Sequence, residues 1–409
     1  MSEIMPIDKD APVVVVGAGP SGLACALALN ALSVPVRVIE ADTESAPRPG
    51  SRALFLHNDS LQSLSRFCEG LGEKFAEQGL VWSKRETFYS GKSVYSHQVD
   101  KQYKKNGLPP FISLRQRDTE KLLRQACCEQ GVQITWDSPV QQVISNSDNI
   151  QITGNDFSVN AHYVIGADGA HSSVRKSSGL EFEGDSAKGT HIVVDFICAD
   201  SPYKNKRTFH YRHPKLDHRH VLIIPFAGGW QVDLQCKLND DIEYMSSAQG
   251  VREWLIQIID KEFIEHIDWV STYHFNQLVA NNFTDEFRRV LLIGEAAHLF
   301  PPYGARGLNS GIADAEMASQ AILLASHVRH NAHRKFAIEE FNRYRKSAAL
   351  RNCDAARQAL RYIRAPSTLD KLKQRMAVLL SGYSDRYSRW LDAAPYGPVW
   401  KADRNLSRY

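Results

Sequence analysis

The stretch from Val13 to Glu40 constrains the fold more than any other part of the chain. Val13-Val14-Val15-Val16 is too short for a helix and rich in β-branched side chains, the composition of a parallel strand buried on both faces. The run Gly17-Ala18-Gly19-Pro20-Ser21-Gly22 follows at once, a helix is predicted from about Ser21 to Leu32, and Val36 to Glu40 reads as a second strand. Each glycine has a physical task in such a unit. Gly17 permits the tight turn, Gly19 lets the backbone approach a pyrophosphate, and Gly22 lets helix and strand pack closely. Pro20 and Ser21 open a helix whose N-terminus favours phosphate charge, and the Glu40 carboxylate can accept hydrogen bonds from an adenosine ribose. The segment is therefore read as a dinucleotide site.

The same stretch is apolar enough from Ala11 to Leu32 to suggest a signal peptide or a membrane span. Gly17, Gly19, Pro20, Ser21 and Gly22 interrupt it, and Asp8 and Asp10 stand where a signal would be basic, so a buried strand, turn and helix explains it better. With 409 residues, 43% hydrophobic and 23% charged, the chain is long enough for two domains and shows no composition of disorder. A net charge of +3 with interspersed signs points away from nucleic acid and membrane partners and toward small molecules. The seven cysteines include no Cys-x-x-Cys pair and are odd in number, which reads as reduced thiols in a cytoplasmic protein without a metal site.

Further along, Asp118–Gln130 has helical periodicity, while Tyr163-Val164-Ile165-Gly166-Ala167 and Val290-Leu291-Leu292-Ile293-Gly294 are short apolar strands ending in glycine. Between about Phe182 and Tyr273 the texture changes to alternation, as in Trp230-Gln231-Val232-Asp233-Leu234-Gln235-Cys236, which describes an antiparallel sheet with a polar and an apolar face. A helix is expected after Asn309 to roughly Arg329, and the region from Phe336 onward is mostly helical, with Tyr383, Trp390, Tyr396 and Trp400 near its end.

Two more motifs sharpen the reading. One is Gly166-Ala167-Asp168-Gly169-Ala170-His171-Ser172-Ser173-Val174-Arg175, and the other runs from Gly294-Glu295 through Pro301-Pro302-Tyr303-Gly304-Ala305-Arg306-Gly307-Leu308-Asn309. With the first glycine motif, and in the same order, they resemble the three motifs of the flavoprotein aromatic hydroxylases, the family typified by para-hydroxybenzoate hydroxylase. The resemblance extends from Val13 to about Leu324.

It implies an α/β fold: a Rossmann-like FAD-binding domain (residues 1–75, 102–181 and 276–330), an inserted mixed or antiparallel β-sheet substrate domain (76–101 and 182–275), and a helical C-terminal region (331–409). It implies tightly bound FAD, with NADH or NADPH as a transient co-substrate, since a second Gly-x-Gly-x-x-Gly is missing from the sequence. Asp168 would lie where flavin and reduced nicotinamide meet. Gly294 and Glu295 would hold the ribityl chain, with glutamate where the family has aspartate. Arg52 matches an arginine near the pyrophosphate, and Gln116 a flavin-contacting glutamine. Gly307, with the amides of Leu308 and Asn309, would start a helix aimed at the flavin pyrimidine, where a reduced flavin gains negative charge.

The activity so implied is hydroxylation of a phenolic or hydroxylated N-heteroaromatic ring by NAD(P)H and O₂ through a flavin C4a-hydroperoxide. A non-oxygenating FAD reductase on the same fold is the alternative. His210 and Tyr211, just before His213-Pro214, are the candidates for activating the ring hydroxyl, and Pro302 is the candidate in the flavin loop. Gln231 and Asp233 share a strand face that either lines the pocket or is solvated, and His298 is read as structural. The C-terminal tail is expected to close the pocket or to form a homodimer contact.

Overall fold

Val13–Val16 lies at the centre of a five-stranded sheet ordered Val290–Leu292, Tyr163–Gly166, Val13–Val16, Val36–Ile39 and Gln133–Thr135, with every pairing parallel. The computed structural model describes residues 12–46, 54–99, 107–185, 189–274, 276–327 and 331–397. All four valines are buried, as a central parallel strand requires, and each such side chain stabilises the fold by roughly 1.5–3 kcal/mol relative to exposure.

The helix Pro20–Ala31 is buried without interruption from Gly22 to Leu29 because it is covered on both sides, by the sheet and by the helix Arg306–His327. Such enclosure explains why it is apolar all round instead of striped. Small residues make the contact close. A Cβ built on Gly22 would stand 2.0 Å from the carbonyl oxygen of Gly17, and one on Gly311 would stand 2.1 Å from Ser21 Oγ. Gly17 itself sits at φ +105°, and a Cβ there would meet Ala167 O at 2.5 Å, so the tight turn needs glycine for conformation and for space.

The alternating region forms a seven-stranded sheet ordered Ile267–His274, Thr190–Ile197, Gly229–Gln235, His220–Phe226, Lys206–Tyr211, Lys84–Tyr89 and Lys92–Gln98. It is mixed: Lys206–Tyr211 pairs parallel with Lys84–Tyr89, and all other neighbours are antiparallel. Ile192, Val194, Val221, Ile223, Trp230, Val232 and Leu234 fill the core on one face, under Val251, Trp254 and Leu255 of a short helix. Alternation then sends His191, Val193, Leu222, Ile224, Gln231, Asp233 and Gln235 to the other face.

The helix expected after Asn309 begins three residues earlier, at Arg306. Gly304 at φ +77° and Ala305 at φ +52° end the preceding loop, which places Gly307 in the first turn, where a glycine does not break the helix. The C-terminal region is helical over Asn331–Arg364, Thr368–Leu380 and Asp385–Ala393, and Trp400 lies outside the described residues. Among the described residues no helix is long and apolar enough to cross a membrane.

Candidate active site

One continuous cavity of about 610 Å³ runs from the glycine loop to the second face of the seven-stranded sheet. At its first end stand Gly19, Pro20, Ser21, Asp42, Gln116, Ala167, Gly169 and Glu295; Pro302, Gly304, Gly307 and Leu308 follow in the middle. The far end is walled by His191, Val193, Phe209, His220, Leu222, Ile224, Gln231, Asp233 and Tyr273, and closed by Ile363, Pro395 and Tyr396.

The sequence-identified residues divide into those that line this cavity and those that support it. Gly19, Pro20, Ser21, Gln116, Glu295, Pro302, Gly307 and Leu308 are liners. Gly17, Gly22, Glu40, Asp168, Gly294 and Asn309 stand behind them. Glu40 accepts hydrogen bonds from Ala18 N at 2.5 Å and Asp42 N at 3.0 Å, so its carboxylate fixes the glycine loop to the end of the second strand. Asp168 accepts from Ser172 Oγ, Ser173 Oγ and Val174 N, which holds its turn closed. Asn309 ties the flavin-side loop to the neighbouring strand: its Oδ1 accepts from His57 N and Ser60 Oγ, and its Nδ2 donates to Phe55 O and Ala305 O. Arg52 lies outside the described residues.

The residues present suit a flavin dinucleotide. A Cβ on Gly19 or Gly307 would meet nothing within 4 Å, so at these two positions glycine leaves room in the cavity instead of serving the protein's own packing, while Gly169, at φ +76°, also serves its turn. Gly19 caps the first helix with no side-chain hydrogen bond, and neither that helix nor Arg306–His327 carries an acid in its first turn. Free amides and positive dipole ends therefore face a space shaped for an anion.

Behind the Gly294 turn lies a buried network absent from the sequence reading. Asp314, fully enclosed, contacts His298 Nε2 at 2.6 Å and Arg345 Nε at 2.6 Å, and accepts from Gly294 N at 3.0 Å. Although burial alone would raise its pKa, Arg345 and His298 overcome that and hold the carboxyl down at about 2. His298, also buried, is thus structural as expected, and it orients the turn through Asp314.

His210 and Tyr211 do not reach the cavity, which corrects their expected position. His210 has the parity of Thr208 and points to the opposite face, where its ring stacks on Phe88 at 4.8 Å. Burial pushes it down to about 3. Tyr211 shares the parity of Phe209 but lies beyond the rim, and its hydroxyl donates to Leu391 O at 2.8 Å beneath the C-terminal segment.

The polar groups that do face the cavity come from neighbouring strands. His191 and Asp233 are diagonal neighbours, since His191 pairs with Gln235 and Val193 with Asp233. His191 Nδ1 lies against the Asp233 carboxylate, and its Nε2 lies 3.2 Å from Tyr303 Oη. His220 Nδ1 accepts from Arg212 N at 3.3 Å, and burial lowers its pKa to about 3, so it remains neutral with its other nitrogen protonated. Alternation marked Asp233 and Gln231 as a shared face; Gln231 donates to Asp195 Oδ1 at 2.7 Å. His191, Tyr303 and His220 carried no such mark, because nothing local shows that they meet.

The C-terminal segment is latched over the far end. Arg207, buried on the sheet, donates to Asp392 Oδ1 at 2.9 Å and lies 5.2 Å from the Tyr396 ring centroid, while Arg306 donates to Tyr396 O at 2.8 Å. Burial pulls the Arg306 guanidinium down to about 10.

A family model described as FAD binding domain matches residues 10–356. A FAD-dependent monooxygenase of Aspergillus terreus is 28% identical over 351 residues, covering 75% of this chain and 47% of its own. The 6-methylpretetramide 4-monooxygenase of Streptomyces rimosus is 26% identical over 320 residues, with 76% and 55% covered. A para-nitrophenol 4-monooxygenase of a Pseudomonas species is 27% identical over 332 residues, with 76% and 77% covered. The chain thus spans about half the length of the first two. Among solved structures, p-nitrophenol 4-monooxygenase from Pseudomonas putida shares the fold, with a TM-score of 0.78 at 20% identity over 95% of this chain and 99% of that one.

Proposed function

Because this chain belongs to the FAD-binding-domain family of flavoprotein aromatic hydroxylases, we propose that it hydroxylates a phenolic or hydroxylated N-heteroaromatic compound with NAD(P)H and O₂. The observation that carries the reading is the single cavity joining the glycine loop and the Arg306–His327 helix start to the half-polar wall of the seven-stranded sheet. FAD and an aromatic ring placed in it would be adjacent, and no other part of the described structure offers both a dinucleotide cradle and such a wall.

When bound, FAD supplies two-electron chemistry with NAD(P)H and the activation of O₂. The protein would do the rest by positioning. The uncapped amides from Gly19 onward, fixed by Glu40 through Ala18, would hold the pyrophosphate, and Glu295 and Gln116 would contact the cofactor between its two ends. The amides of Gly307 and Leu308 would face negative charge on the ring system, which a helix start favours. Val193, Phe209, Leu222, Ile224 and Ile363 would enclose the substrate ring and keep water away. Pro302 would sit between flavin and ring as part of the loop wall, and Asp168 would support the site by keeping its turn closed. The thiols Cys25, Cys127, Cys236 and Cys353 are buried and unbridged, which supports a cytoplasmic setting.

The test is rapid-mixing reduction of the yellow holoprotein by NADH and by NADPH, with and without a panel of phenols and hydroxypyridines, followed by ¹⁸O₂. A compound that accelerates reduction and leaves carrying one ¹⁸O supports the reading. Oxygen consumption that yields only H₂O₂ with every ring would refute it in favour of a non-oxygenating oxidoreductase.

A further inference from the structure

We propose that Tyr303, His191 and Asp233 form a proton-accepting chain that ionises the ring hydroxyl of the bound substrate. The proposal rests on the aromatic hydroxylase reading and names the groups of the same cavity that would activate the ring. All three residues line the cavity, and they come from three separate elements: the loop before Arg306, the strand Thr190–Ile197 and the strand Gly229–Gln235. Their order is fixed by geometry. The Asp233 carboxylate contacts His191 Nδ1, which puts the hydrogen on that nitrogen and leaves Nε2 as the acceptor for the Tyr303 hydroxyl, 3.2 Å away.

Proton transfer through this chain balances without any further reactant. A ring hydroxyl bound against Tyr303 passes its proton to Tyr303 Oη as Tyr303 passes its own to His191 Nε2. The products are a substrate phenolate, a neutral tyrosine and an imidazolium paired with Asp233. Tyr303 is needed as a relay in its neutral form, and burial together with the nearby Asp233 charge holds its pKa well above 10. A lone tyrosinate is thereby disfavoured, so the positive charge must come to rest on His191, where a carboxylate already waits. The phenolate then directs electron density to the ring carbon that is to be hydroxylated.

Gln235 is the strand partner of His191 on one side and Tyr273 on the other. The Tyr273 hydroxyl is directed to Phe300 O at 2.9 Å, and His220 is held neutral by burial. Arg364, from the long C-terminal helix, lies near enough to act on Tyr303, and its charge favours loss of a proton from that end of the chain. Asp233 is a carboxylate that His191 meets directly.

The test uses FAD-loaded protein without reductant and 4-nitrophenol as the probe, whose phenolate band reports ionisation directly. In the wild type the bound probe should ionise at least about one pH unit below the free compound, a tenfold or greater gain in acidity. His191→Asn and Tyr303→Phe should each abolish that shift, and Asp233→Asn should reduce it, with flavin content and melting temperature preserved. Tyr303→Phe removes one hydroxyl from an otherwise filled site, so it keeps the test sharp if a strand variant misfolds. Equal ionisation in wild type and Tyr303→Phe would overturn the chain. A probe that does not bind wild-type holoprotein would instead overturn the phenol-binding reading on which the proposal rests; and if, once NAD(P)H and O₂ are added in a second step, all three variants hydroxylate the probe at the wild-type rate, the chain is overturned while that reading stays intact.

Discussion

Replacing Asp314 with Asn tests whether the buried network behind Gly294 sets the shape of the flavin site. The carboxylate is fully enclosed and serves three partners at once: His298 at 2.6 Å, Arg345 at 2.6 Å and the Gly294 amide at 3.0 Å. Asparagine keeps the volume but loses the charge, so the Arg345 guanidinium, itself buried, is left without its counter-ion. Breaking a buried pair in this way costs about 3–5 kcal/mol. Unfolding entropy near 60 °C is roughly 2.1 cal/mol/K per residue, so for 409 residues the melting temperature should fall by about 3–6 °C. Scanning calorimetry of holoprotein and flavin-stripped protein measures this, and a flavin-retention assay measures the second effect. Since one of the lost partners is the Gly294 turn, the holoprotein should lose more than the stripped protein and should release FAD faster. A melting temperature within one degree of wild type, with unchanged flavin retention, would refute the assignment. The sign of the pH dependence follows from the same site. The carboxyl titrates at about 2 in the fold against an ordinary 3.8, so its contribution of about 2 kcal/mol is present above pH 3.8 and disappears as pH falls toward 2.

Other expectations follow from single contacts. Gly22→Ala puts a Cβ 2.0 Å from the Gly17 carbonyl oxygen and should yield protein that is destabilised by about 1–3 kcal/mol and fails to retain FAD, measured by absorbance after gel filtration. His220 titrates at about 3 in the fold against 6.5 in the open chain, so below pH 6.5 the unfolded state takes up a proton that the folded state refuses, and stability falls by about 1.4 kcal/mol per pH unit until pH 3. Urea midpoints at pH 5 and pH 7 should therefore converge in His220→Gln. Arg207→Leu leaves the buried Asp392 with Arg85 at 3.4 Å as its remaining ion-pair partner, and should free the segment Asp385–Ala393 to proteolysis while raising the substrate KM more than it lowers flavin content.

What could be read from the sequence was whatever neighbours along the chain enforce. The Val13–Glu40 unit was legible because a buried strand, three glycines, a helix and a closing acid follow one another in a single βαβ unit. The polar face of Gly229–Gln235 was legible as alternation, though its direction was not, since an alternating strand reads the same whether its polar residues meet solvent or a cavity. His210 shows the limit. A cluster of histidines draws attention, yet one residue of register decides the face, and the pairing with Lys84–Tyr89 puts His210 on the wrong one for the cavity. Tyr303, His191 and Asp233 lie far apart in sequence, as do Asp314, His298 and Arg345, and in a linear reading Asp314 and Arg345 look like ordinary helix-face charges.

The strand order of the parallel sheet has a consequence for how the polypeptide leaves the ribosome. Val13–Val16 gains one neighbour early, at Val36–Ile39, but its other neighbour is Tyr163–Gly166, and that strand in turn waits for Val290–Leu292. At roughly 5–20 residues per second of synthesis, Val13–Val16 stays half-covered for many seconds until Tyr163–Gly166 is made, and Tyr163–Gly166 then stands as the open edge while the strands from Thr190–Ile197 to Ile267–His274 are synthesised. The nascent chain thus carries an open edge of the parallel sheet, first Val13–Val16 and then Tyr163–Gly166, and its yield at high temperature should depend on how that edge is shielded before residue 292 emerges.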